Sequence, residues 1–211
     1  MKRLFMACAA ALLLTSSASA HEIWVERDAA GPARIYLGEP SETAPEGGDP
    51  EFAKLKAPKI IGSQAALTRR ADHIEVAYKG TGDIRVFDDA VFDPWKGENG
   101  SLEGAVFHAR QGRQETKAQL DLELVPVSAE GNSFTAFYKG VPLPGASITL
   151  LNPDRWSKSF KTDAKGVIAL PIEQKGRYIV TLNHSVDGPA TLGGQTVAKV
   201  HHVSTLSFVA S

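Results

Sequence analysis

His21 is the residue of this sequence with the clearest potential for chemistry, because it directly follows a predicted cleavage site. Cleavage after Ala20 would give a first residue that carries both a free α-amine and an imidazole. These groups titrate at ~8 and ~6.5 in model peptides, so both are easily deprotonated at neutral pH. Nitrogen ligands of this kind suit Cu(II), Ni(II) and Zn(II). The stretch therefore predicts a metal-chelating mature N-terminus.

His21 needs partners from elsewhere in the chain. The square-planar chelate of an N-terminal tripeptide requires histidine at the third position, which is Ile23. Side chains alternate along a strand, so His184 and His202 are expected to project to the same side of neighbouring strands. His201 points the other way and remains a candidate for a site on the outer face. The predicted metal ligands are His21, His184 and either His201 or His202.

Catalytic motifs are missing from the sequence. It has no Gly-x-Ser-x-Gly, no His-Glu-x-x-His and no glycine-rich phosphate loop. We therefore expect a non-catalytic protein that binds a divalent transition metal. A metal-free interaction or carbohydrate-binding module, using Trp95 in the acidic loop 88–100, is the alternative. A copper-dependent oxidative enzyme built on His21 is a more distant one.

Residues 1–20 have the pattern of a secretory signal peptide. Lys2 and Arg3 precede an apolar run, which is too short for a membrane span and ends at a small-x-small cleavage site. Cleavage would remove Cys8, the only cysteine, and would change the formal charge from −1 to −3 by loss of two cations. We therefore expect an exported chain without disulfides, without a membrane span, and without a nucleic-acid partner.

Short alternating runs separated by Gly, Pro, Asn and Asp predict an all-β fold, an antiparallel β-sandwich in two domains. The predicted N-terminal domain covers 21–127 and contains a long Pro/Gly-rich loop at 38–58. The predicted C-terminal domain covers 132–211, and its closely spaced strands favour an immunoglobulin-like sandwich. The segment 113–120 is predicted to be a short helix or an ordered linker.

Two motifs carry a resemblance to a known family. The start His21-Glu22-Ile23-Trp24-Val25 and the central Leu122-Glu123-Leu124-Val125-Pro126 resemble segments of a family of exported bacterial proteins. That family is a domain of unknown function often labelled as a periplasmic component of nickel or cobalt transport. The resemblance implies a periplasmic location, a role in Ni or Co handling, and a membrane metal-uptake transporter as partner.

Overall fold

A computed structural model of the protein describes residues 21–28, 31–43 and 45–211. The predicted signal peptide lies outside these residues. The described chain contains 16 strands and one short 3₁₀ helix, Pro50–Lys54. The strands are β1 Glu22–Arg27, β2 Ala33–Gly38, β3 Lys59–Ile60, β4 Leu67–Arg69, β5 Ile74–Val76, β6 Ile84–Asp88, β7 Trp95–Lys96, β8 Leu102–Gln111, β9 Leu122–Pro126, β10 Ser133–Tyr138, β11 Val141–Pro142, β12 Ser147–Leu151, β13 Ser157–Lys161, β14 Val167–Ala169, β15 Gly176–Leu192 and β16 Gln195–Ala210.

The strands form one large sheet and two smaller ones. The large sheet has the order β13-β12-β15-β16-β8-β6-β3, with β7 also paired to β8. One small sheet has the order β1-β2-β5-β4, and the other joins β9, β11 and β14 to β10. The predicted all-β sandwich is confirmed. One pairing is not antiparallel: β8 and β16 run parallel, which makes the large sheet mixed.

The large sheet carries an apolar core on each of its two faces. Alternation along β8 places Ala105, Phe107 and Ala109 in the core that β1, β2 and β5 cover. Leu206 and Phe208 of β16 belong to the second core, which β9 and β10 cover. The two small sheets therefore pack on opposite sides of the same central strands.

Strand β1 is tied to the large sheet by side-chain hydrogen bonds. The hydroxyl of Thr205 donates to the carbonyl of Ile23 at 2.7 Å, and the hydroxyl of Ser207 donates to the carbonyl of Val25. Hydrogen bonding also crosses the predicted boundary at 128–132, because β9 pairs with β10 and β8 pairs with β16. The division into two domains remains a prediction.

The segment 113–120 is ordered but contains no helix. Its backbone N–H groups bond to side chains of other elements instead of to helical carbonyls. Asp83 accepts two of them and Glu123 accepts two more. This tertiary bonding explains why a sequence of good helix formers does not form a helix here. Within the described residues, no helix is both long and apolar enough to cross a membrane.

Candidate functional site

A cluster of histidines lies where β8, β10, β15 and β16 meet. The register pairs His184 of β15 directly with His202 of β16. Both rings contact Tyr138 of β10, with ring centroids 4.7 Å apart for His184 and 5.1 Å for His202. The structure therefore brings His184 and His202 to the same side of the large sheet.

His108 is the third histidine of this cluster, and the sequence reasoning did not assign it a role. The parallel pairing of β8 with β16 places its Nε2 3.2 Å from Nδ1 of His202. The other nitrogen of His202, Nε2, lies 3.4 Å from the hydroxyl of Tyr138. His108 is only 1% exposed, and its Nδ1 has no hydrogen-bond partner in the described part of the chain. The imidazole of His202 is thus held at both nitrogens.

Burial keeps these imidazoles neutral. It lowers the pKa of His108 to about 3, with a further contribution from the neighbouring His202. Burial likewise lowers the pKa of His202 to about 4, against an opposing effect of the Asp121 carboxylate. The pKa of the half-buried His184 is lowered by the same cause. At neutral pH the rings of this cluster are therefore in the neutral form that binding to a metal ion requires.

His201 lies on the opposite face of β16. Its Nε2 is 2.7 Å from Glu103 Oε2, and its Nδ1 is 3.0 Å from the hydroxyl of Ser185. Trp95 stacks on the ring, with centroids 5.8 Å apart. Trp95 is half-buried against the first core.

His21 occupies a third location. Its Nε2 is 3.3 Å from Asp49 Oδ1, and its ring meets Phe92 edge-on at 6.0 Å. It lines a cavity to which none of the other predicted ligands contributes. Across residues 21–28, 31–43 and 45–211, no group of three or more His, Cys, Asp or Glu side chains is arranged to hold a metal ion. The four predicted ligands are therefore not gathered into one site.

No protein-family model, curated protein sequence or solved structure matches this chain significantly.

Proposed function

We propose that the protein is an exported, non-catalytic binding protein for a divalent transition metal, with His184 and His202 as the central ligands. The observation that carries this proposal is the direct cross-strand pairing of these two histidines beside Tyr138. Two imidazoles on one side of a rigid sheet form a minimal nitrogen site.

His108 supports this assignment as an orienting residue. A histidine that binds a metal through one nitrogen almost always uses the other in a hydrogen bond, which fixes its tautomer. The contact from His108 Nε2 to His202 Nδ1 supplies such a bond and leaves Nε2 of His202 facing Tyr138. Metal binding at Nε2 would replace its contact with the Tyr138 hydroxyl, and it would require the proton of His202 to reside on Nδ1, with His108 as its acceptor.

The imidazole donors suit Cu(II), Ni(II) and Zn(II), and general affinity peaks at copper; Co(II) is added only by the motif resemblance. A role in Ni or Co uptake beside a membrane transporter in the periplasm is the expectation that the motif resemblance adds. A processed N-terminus would form a separate ligand group, with the amine and imidazole of His21 beside Asp49.

Calorimetric titration with Cu(II), Ni(II) and Co(II) tests the proposal. His184→Ala should weaken binding at least ~10-fold, because it removes one of two imidazoles, and His108→Phe should weaken it by ~10-fold or more through loss of the orienting bond. His73→Ala is the matched control, because His73 is engaged with Asp72 and Tyr36 instead. Unchanged affinity in His184→Ala would contradict the proposal.

A second variant separates His21 from the cluster. One residue inserted before His21 would abolish an amine chelate but should leave the His184-dependent binding unchanged. If the insertion removed all metal binding, the cluster would not be the site. Glycan binding that a chelator does not affect would instead favour the metal-free carbohydrate-binding alternative.

A further inference from the structure

A cavity of about 610 Å³ lies between residues 38–43 and 45–51 on one side and the C-terminal half of the chain on the other. Its walls include the start of the 3₁₀ helix on one side and the turn at Asn152 and Pro153 on the other. Arg155 joins the two walls, because its guanidinium donates to the carbonyl of Glu42 and, at 3.3 Å, to the hydroxyl of Thr43. The volume lies within the range of small-molecule sites, which often form between packed units.

The cavity carries an excess of negative charge. Two arginines, Arg155 and Arg177, contribute to its wall, and Arg177 is already paired with Glu26 at 3.3 Å. Glu39 and Glu42 form no ion pair within the described residues. The lining carboxylates are those of Glu26, Glu39, Glu42, Asp49, Glu51 and Asp72.

The acidic lining also affects the pKa of a neighbouring carboxyl group, that of Glu22. The pKa of Glu22 is raised to about 7, mainly by burial and against a hydrogen bond from Thr181, and the charge of Glu39 raises it further.

An aromatic pair forms one wall of the cavity. The rings of Trp24 and Tyr36 are stacked, with centroids 5.2 Å apart and planes 16° apart. The indole N–H of Trp24 donates to Glu26 Oε1 at 3.0 Å, which holds the ring in place. Burial and the charges of Glu26 and Asp72 contribute to a raised pKa of Tyr36. Indole faces attract ammonium groups and pack against methylene chains.

We propose that this cavity binds a small organic cation, a diamine or polyamine. Its ammonium groups meet the unpaired carboxylates of Glu39 and Glu42, and its methylene chain packs on Trp24. A neutral sugar could hydrogen-bond to those carboxylates but would leave their negative charge uncompensated, and an inorganic cation would make no use of the aromatic wall. This site is distinct from the histidine cluster and does not depend on the metal proposal.

Calorimetric titration with spermidine, at constant ionic strength, tests the inference with protein expressed from the full-length sequence. The double variant Glu39→Gln/Glu42→Gln should bind at least about 10-fold more weakly, a change equivalent to 1.4 kcal/mol. Trp24→Leu should weaken binding about threefold or more, through loss of the cation–π contact. Glu98→Gln, an exposed change outside the cavity, should bind as the unaltered protein does.

Three outcomes would overturn the inference. The first is that the protein does not bind spermidine, and the second is that the Glu39→Gln/Glu42→Gln variant binds it as tightly as the unaltered protein. The third is that this double variant loses affinity while Trp24→Leu does not. The last result would mean unspecific attraction of a polycation to an acidic surface. His184→Ala should bind spermidine normally, so that failure here and failure of the metal proposal are told apart.

Discussion

Replacing Glu123 by glutamine should destabilise the fold by several kcal/mol, because two buried arginines share its carboxylate. Glu123 Oε1 accepts from Arg85 Nε at 2.7 Å and from Arg110 Nη1 at 2.9 Å. Its Oε2 accepts the backbone N–H groups of Gln119 at 2.6 Å and Leu120 at 2.9 Å. Glu123 and Arg110 are fully buried, and Arg85 is 3% exposed. Four donors therefore converge on one carboxylate that water does not reach.

The expected magnitude follows from the charges that the change leaves behind. Breaking a buried ion pair by removing one partner costs about 3–5 kcal/mol, since the other charge stays buried. Arg85 keeps Glu115 at 2.7 Å, and Arg110 keeps Asp83, which moderates the loss. The amide NH₂ of glutamine would also face donors, which adds about 1–3 kcal/mol. A total near 4 kcal/mol is expected.

Equilibrium unfolding in urea measures this loss. With a slope of about 2 kcal/mol/M, a loss of 4 kcal/mol lowers the midpoint by about 2 M. Glu173→Gln, at an exposed glutamate, is the control and should change stability by less than ~0.5 kcal/mol. The double variant Arg85→Met/Glu123→Met should be more stable than Glu123→Met alone, because it leaves one arginine fewer without its partner. A loss below ~1 kcal/mol in Glu123→Gln would refute the reasoning.

Two further predictions concern pH. The pKa of Glu22 is raised to about 7 from 4.5, so between these pH values the native state binds more protons than the unfolded chain. The free energy of unfolding should therefore fall by about 2–3 kcal/mol as pH rises from 4.5 through 7. Glu22→Gln should remove that slope in urea midpoints measured across this range. The pKa of His108, lowered to about 3, has the opposite consequence: below pH 6.5 the unfolded chain binds more protons, so stability falls toward acid. Between pH 8 and pH 5, His108→Phe should lose about 2 kcal/mol less of its unfolding free energy than the parent protein does. Equal pH profiles of stability in variant and parent would contradict a neutral, buried His108.

Part of the candidate site follows from local pattern alone. Strand parity predicts that His184 and His202 share a side, and the register places them opposite each other. The same rule places His108 on the face of β8 opposite Phe107, so a signal for its orientation was present. Its contact with His202 could not be predicted, because the two residues are 94 positions apart and meet only through the parallel pairing of β8 with β16.

The sequence by itself determined the all-β character, because alternation with a period of two is a local property of each strand. The tertiary structure decided which strands became neighbours. It placed β8 beside β16, formed the Glu123 ion network that bonds to the non-helical segment 113–120, and set His21 beside Asp49 instead of beside the other histidines. The physical reason is that alternation specifies the face of a side chain, whereas the partner across that face depends on packing between distant segments.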